Sequence, residues 1–182
     1  VRALMQIHNQ PLEEIQQLMT RLEDQQCPIQ DYYRMMQEWL GDRILVDKTP
    51  AYAIDLETLQ RAEAYFENPF YIYLQRHPYG MIRSFEEAKL EQLWYPRLVG
   101  NEAGTLDALP YNRKQLAEMI WLILNQNILR FLQDIPVERQ FRVKFEDLVY
   151  QPEREMRMFC DKAGLEFAPG MLNPQEQGQH RM

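Results

Sequence analysis

The sequence predicts an α/β protein in which a parallel sheet is flanked by helices, with more helix than strand. Short apolar or aromatic runs at 44–46, 70–74 and 140–144 have the composition of buried strands. Stretches with apolar residues at helical spacing separate these runs. Since strands that alternate with helices form parallel sheets, we expect this sheet to be covered on both faces.

The first part of the chain is predicted to be helical. Apolar residues recur at helical spacing over 12–26, and a second helix is predicted over 31–40, where Gly41 provides a C-terminal cap. The run Ile44-Leu45-Val46 then predicts a buried strand, whose end emerges into a loop at Asp47-Lys48-Thr49-Pro50.

The rest of the chain continues this alternation. The predicted elements are helix 56–66, strand 70–74, a helix that includes Met81 to Leu93, a long helix from its N-cap Asn112 to about Asp134, strand 140–144, and helix 153–163 ended by Gly164. The segment Trp94 to Pro110 is irregular, and its residues Trp94, Tyr95 and Arg97 either line an acceptor entrance or anchor a loop.

Composition excludes several classes of protein. The 182 residues predict one domain, and a net charge of −7 gives no support for nucleic-acid or membrane binding. No apolar run is long enough to span a membrane. The two cysteines lack metal or redox spacing, which favours free thiols in a reducing compartment, the cytoplasm. No cluster with metal-ligand spacing is present, so the sequence predicts no metal site.

The carboxyl ends of the strands are the places to look for a site, because ligands of doubly wound sheets bind there. Arg76 follows the second predicted strand, and Ser84 lies eight residues later in the next helix. A long cation and a short hydroxyl at this spacing can hold one phosphate from two sides. Gly80 allows a close backbone approach. The alternative is an ordinary strand-to-helix junction with an exposed arginine.

The segment FYIYLQRHPYGMIRSF resembles the one by which PAPS-dependent sulfotransferases hold the 3′-phosphate of their cofactor, 3′-phosphoadenosine-5′-phosphosulfate. The family pattern is a hydrophobic strand, an arginine, a proline two places on and a serine eight places on. The resemblance implies a P-loop-like sulfotransferase fold, PAPS as cofactor with PAP as its product, and Arg76 and Ser84 as cofactor-binding residues.

Two further segments resemble the same family. VDKTPAYA is similar to the lysine-containing strand end of carbohydrate-type and bacterial members, which implies a catalytic Lys48 beside the leaving phosphate and Thr49 as a supporting donor. FRVKFEDL resembles a later strand end, and Phe145, which replaces a common tyrosine, would pack on adenine. The alternatives are a solvated lysine, and helix capping by Glu146-Asp147.

The strongest likeness is to sulfotransferase domains of bacterial polyketide synthases of the curacin and olefin-synthase type, supported by LAEMIWLILNQNILRFLQDIPVERQFRVKFEDL. This likeness implies a β-hydroxyacyl acceptor on an acyl carrier protein. It also implies adjacent polyketide synthase domains, including a thioesterase that completes decarboxylative elimination to a terminal alkene. Rival hypotheses are a P-loop nucleotide kinase-like transferase and a non-catalytic docking domain.

Some expected parts of the family are absent from the sequence. The seven glycines form no loop for the 5′-phosphosulfate, and no later basic loop for the 3′-phosphate follows. We therefore expect residues 1–182 to be a partial sulfotransferase domain, truncated at both ends. Among the histidines, His77 is interpreted as support for the Arg76 loop and His8 as a surface residue, so the general base is not assigned. His180 lies in a featureless tail.

Overall fold

The computed structural model describes residues 2–87 and 112–173. In these ranges the helices are α1 Arg2–His8, α2 Leu12–Asp24, α3 Ile29–Leu40, α4 Leu56–Tyr65, α5 Pro78–Glu87, α6 Arg113–Phe131, α7 Phe145–Tyr150 and α8 Pro152–Ala163. The strands are β1 Tyr71–Gln75 and β2 Gln140–Lys144. Short 3-10 turns occur at Pro50–Ile54, Val137–Arg139 and Pro169–Leu172.

The chain forms two compact units, Val1–Pro50 and Ala51–Met182. In the first unit, α1, α2 and α3 pack around a small apolar core of Leu4, Ile15 and Met36. These residues come from the apolar faces of the three helices, as the helical spacing of the sequence predicts. A segment without regular secondary structure follows at 44–49.

The second unit contains a parallel pair of strands in which Tyr71 lies opposite Gln140 and Gln75 opposite Lys144. One face of the pair packs on α4 and α6, with Tyr73 and Phe131 in the core. On the other face, the Phe159 ring of α8 lies 5.4 Å from that of Phe141. Helices on both faces of a parallel sheet confirm the predicted fold class.

The predicted strand at Ile44–Val46 is wrong. Residues 44–49 belong to no sheet in the described ranges, and the side chains of Ile44 and Val46 are 62% and 71% exposed. A short apolar run becomes a strand only where a neighbouring strand pairs with its backbone, and composition alone does not reveal that partner. Within the described ranges, Ile72 and Leu74 on one face of the sheet are half exposed.

The longest helix begins as the sequence predicts. The side chain of Asn112 accepts from the Gln115 amide at 3.0 Å, and the Gln115 side chain accepts from the Asn112 amide at 2.9 Å. This reciprocal capping box satisfies two backbone donors that would otherwise lack partners. The start of α6 is therefore defined by local chemistry, and this start places Trp121 two turns into the helix.

A carboxylate connects α4 to the start of both strands. Glu63 accepts from the Arg139 guanidinium and, at 2.7 Å, from the Tyr71 hydroxyl. The hydrogen bond from Arg139 holds the pKa of Glu63 below its usual range, whereas burial and the same carboxylate raise the pKa of Tyr71. These contacts fix the ends of β1 and β2 that lie opposite the candidate site described below.

Glu63 predicts a pH dependence of stability. A carboxyl with a depressed folded-state pKa stabilises the fold fully above its unfolded pKa, about 4.3, and loses that contribution as pH falls through the folded value. We expect Glu63→Gln to lower the free energy of unfolding at pH 6.5, and the difference from wild type to shrink by more than half at pH 3. Urea unfolding of the intact protein measures both. Glu67→Gln removes the same charge at an exposed position, and a Glu63→Gln deficit independent of pH would contradict the prediction.

Candidate functional site

The two strands end at the same edge of the sheet, and each is followed by a residue of the candidate site. Because Gln75 pairs with Lys144, Arg76 and Phe145 are the next residues along adjacent parallel strands. The Arg76 guanidinium carbon lies 4.8 Å from the centre of the Phe145 ring, over its face. A cation held in this way keeps its charge and its donors while the flexible side chain loses freedom.

Helix α5 approaches the same guanidinium through Gly80. A methyl carbon placed on Gly80 would lie 3.3 Å from Arg76 Nε and 3.8 Å from its Nη2, so the glycine leaves room for the arginine. Ser84 lies one helical turn beyond Gly80 on the same face of α5. Since the Cα–Cβ bonds of a helix tilt toward its N-terminus, Ser84 lies on the face of α5 whose preceding turn contacts Arg76.

Gly80→Ala tests this packing. Alanine is a better helix former by up to about 1 kcal/mol, so the variant should unfold at the same or a higher denaturant concentration. The added methyl group should displace the guanidinium and weaken binding of a phosphate ligand such as PAP by about 3- to 10-fold, the cost of one imperfect hydrogen bond. Gly80→Val should weaken it further. Unchanged affinity in both variants, measured by calorimetry, would contradict the packing argument.

The amide donors at the start of α5 are mostly occupied within the chain. The His77 amide donates to Glu146 Oε1 at 3.1 Å, and the Tyr79 amide donates to His77 Nδ1 at 3.3 Å. Pro78, between them, has no donor. An anion at this helix start would therefore depend mainly on side-chain donors, and the cofactor-binding roles of Arg76 and Ser84 stay predictions. His77 supports the turn, in agreement with its interpretation from sequence.

The Glu146 carboxylate is a charged acceptor at the end of β2. Hydrogen bonds from its own amide and from the His77 amide hold the pKa of Glu146 below its usual range. The bond from its own amide agrees with helix capping, the alternative interpretation of Glu146. The bond from His77 adds a link to a residue 69 positions earlier in the chain. Asp147 is exposed.

In the first unit, Asp47 organises the segment that carries Lys48 and Thr49. The Tyr33 hydroxyl on α3 donates to Asp47 Oδ2 at 2.8 Å, and the Thr49 hydroxyl donates to Asp47 Oδ1 at 2.8 Å. Lys48, between these anchored positions, is exposed. The Thr49 hydrogen is thus directed at Asp47, so Thr49 shapes the turn around Lys48 in this conformation. Its role as a donor to the cofactor stays a prediction, as does the catalytic role of Lys48.

His8 is partly buried, whereas the sequence suggested a surface residue. Its ring packs edge-on against Trp39 with centroids 4.5 Å apart, and its Nε2 is buried without a hydrogen-bond partner in the described part of the chain.

The irregular segment 94–110 and His180 lie outside the described residues. Within the described ranges, no group of three side chains is placed to hold a metal ion, and no helix is long and apolar enough to cross a membrane.

A family model for the sulfotransferase family matches residues 4–169. The chain belongs to the sulfotransferase family. Two solved structures are similar to this sulfotransferase chain. The sulfotransferase domain from the curacin biosynthetic pathway is 37% identical over 95% of the chain, with a TM-score of 0.85. The sulfotransferase domain from the Synechococcus PCC 7002 olefin synthase is 32% identical over 96% of the chain, with a TM-score of 0.82. Both likenesses confirm the resemblance drawn from the sequence.

The sulfotransferase chain spans little more than half of those structures, 57% and 56% of their respective lengths. No match was found among curated proteins. Activity, substrates and partners of the whole protein are therefore matters for proposal.

The residues at the strand ends fit a phosphate-bearing cofactor. Arg76 offers a planar set of donors beside a cradle that a Cβ on Gly80 would fill, and Ser84 adds a hydroxyl on the same face. The contacts of Trp121 and Glu146 beside Arg76 were not identified from sequence, nor, in the first unit, was the role of Asp47 in the turn that carries Lys48. For Glu146 and Asp47 the sequence does carry a signal, because each lies just beyond an apolar run that was predicted as a strand. Trp121 has no such signal, because a tryptophan in a helical pattern is most simply interpreted as core.

Proposed function

We propose that this sulfotransferase transfers a sulfonate group from PAPS to a hydroxyl group, and that Arg76 and Ser84 hold the 3′-phosphate of the cofactor. The observation that carries the proposal is the Arg76 guanidinium, held over the Phe145 ring and against Gly80 at the carboxyl ends of two parallel strands. When bound, PAPS supplies the sulfonate and a phosphate leaving group. Residues 1–182 form part of a single sulfotransferase domain in this proposal.

In this proposal the site residues have two roles, cofactor binding and charge stabilisation. Arg76 and Ser84 orient the cofactor through charge-assisted hydrogen bonds. Lys48 is the cation that stabilises the negative charge developing at the leaving group, and such preorganised charge is the main source of rate in transfers of this kind. Phe145 holds Arg76 on one ring face. Packing of that residue on adenine is the further role implied by the family.

The acceptor we propose is the β-hydroxyl of an acyl chain on an acyl carrier protein, in the cytoplasm. Sulfonation converts a poor leaving group into a good one, and a neighbouring thioesterase domain of a polyketide synthase would then complete decarboxylative elimination to a terminal alkene. Support comes from the two similar structures, of which one belongs to the curacin biosynthetic pathway and the other to an olefin synthase.

The test is transfer of ³⁵S from labelled PAPS to a β-hydroxyacyl carrier protein by the intact protein, combined with calorimetric titration of PAP. Incorporated label that is absent with the 3-deoxyacyl carrier protein supports both cofactor and acceptor. PAP binding without transfer to this acceptor would retain the cofactor and remove the acceptor. Failure to bind PAP would overturn the cofactor assignment and favour the non-catalytic docking domain over an enzyme.

A further inference from the structure

The peptide group between Arg76 and His77 is held from both of its polar ends. Its carbonyl oxygen, which belongs to Arg76, accepts from Trp121 Nε1 of α6 at 3.1 Å. Its amide, which belongs to His77, donates to Glu146 Oε1 at 3.1 Å. These partners lie 45 and 69 residues away along the chain, on different elements. One peptide plane is therefore fixed by two long-range hydrogen bonds.

These two hydrogen bonds determine the backbone position from which the Arg76 side chain extends. A peptide group is planar, so two opposed hydrogen bonds define its orientation and leave little rotation about the adjoining backbone bonds. Arg76 stands at the end of β1, where the ladder with β2 stops at Gln75 and Lys144. Without Trp121 and Glu146, the peptide group that follows Arg76 would lack both of these hydrogen bonds. With them, the side chain that extends from this backbone reaches Phe145 and Gly80.

The acceptor is well suited to this task. A carboxylate accepts a stronger hydrogen bond from a backbone amide than a neutral oxygen does. Its charge is unfavourable for a nearby anionic ligand, since like charges repel. Glu146 therefore has two opposite effects on phosphate binding, one through the orientation of Arg76 and one through its charge, and substitutions can separate them.

We propose that Glu146 and Trp121 are positioning residues for Arg76, and that they raise affinity for the 3′-phosphate of PAP by holding the Arg76–His77 peptide. Neither residue contacts the ligand in this proposal. The inference rests on the proposed function, because it assumes that Arg76 binds the phosphate.

The first experiment compares Glu146→Ala with Glu146→Gln by calorimetric titration of PAP into the intact protein. Alanine removes the acceptor, and we expect the dissociation constant to rise at least about 10-fold. Glutamine keeps an oxygen that can accept from the His77 amide and removes the charge, so affinity should stay within about threefold of wild type or improve. Asp147→Ala is the matched control for loss of a carboxylate, and it should change affinity less than threefold.

The second experiment is a double-mutant cycle with Arg76→Ala. If Glu146 acts through Arg76, the Glu146→Ala substitution should cause no further loss once Arg76 is absent. Steady-state kinetics add a readout, since KM for PAPS should rise in Glu146→Ala while KM for the acceptor is unchanged. Trp121→Phe keeps an aromatic ring at this position but loses the donor, and it should weaken PAP binding several-fold even if Glu146→Ala fails to fold.

The outcomes separate this inference from the proposed function. Wild-type affinity in both Glu146→Ala and Trp121→Phe would overturn the positioning role alone, provided that Arg76→Ala still weakens binding. Equal losses from Glu146→Ala with and without Arg76 would overturn it as well, because the residue would then act on stability or on the ligand. A wild-type protein that does not bind PAP would overturn both proposals together.

Discussion

Replacing Arg76 with alanine is expected to raise the dissociation constant of PAP by about 10- to 150-fold, because hydrogen bonds to charged groups contribute about 1.5–3 kcal/mol. Arg76→Lys should recover only part of the loss, since an ammonium group lacks the planar donor set and stacks less well on Phe145. Calorimetric titration of the intact protein measures each affinity.

Arg83→Ala is the control for this charge change. Arg83 lies next to Ser84, but its side chain is 82% exposed and pairs with Glu87 at 2.9 Å. Its loss should alter PAP affinity less than about threefold, as expected for an exposed and screened charge. If Arg76→Ala and Arg83→Ala behave alike, the arginine at the strand end contributes only to the general field and the binding site lies elsewhere.

Replacing Lys48 with methionine is expected to reduce turnover by about 10²- to 10³-fold, the effect of removing one preorganised donor to a developing negative charge. PAP affinity should change much less, because the charge that Lys48 stabilises develops in the transition state. Initial rates of sulfonate transfer at saturating PAPS measure the loss. Methionine retains the length and apolar stem of the side chain.

Lys162→Met is the matched control, since Lys162 is an exposed lysine in the last turn of α8. It should leave turnover unchanged. Turnover of Lys48→Met within threefold of wild type would show that Lys48 is a surface lysine, and it would redirect the search for the catalytic cation to other parts of the protein.

Local patterns predicted the elements that carry the site. The bounds of β2 and the N-cap of α6 at Asn112 agree with the structure because strand composition and capping chemistry act within a few residues. The positions of Arg76 directly after β1 and of Ser84 in α5 agree with the structure for the same reason, while their binding roles stay predictions. The contact of Arg76 with Phe145 also follows from strand order, once the two strands are taken as parallel neighbours.

The long-range hydrogen bonds of Trp121 and Glu146 could not be predicted from the sequence. The bonds from Trp121 and Glu146 to one peptide group depend on how α6 and β2 pack against β1, and no local pattern encodes that packing. Ile44–Val46 illustrates the opposite error, in which a local pattern suggested a strand that has no pairing partner among the residues that the structure describes. Asp47 was named as part of a strand end, but its bond to Tyr33 required knowledge of where α3 lies.

The parallel register of β1 and β2 has a consequence for how the protein reaches its folded state. A parallel pair forms by closing a long stretch of chain, which is slow because the entropy of closure is lost before the contacts are gained. Phe145 meets Arg76 only when Gln75 lies opposite Lys144, and a one-residue slip would also turn the apolar side chains of β2 to the wrong face. The binding site therefore forms together with the sheet register. A ligand that binds only the folded site would therefore stabilise the correct strand pairing by mass action.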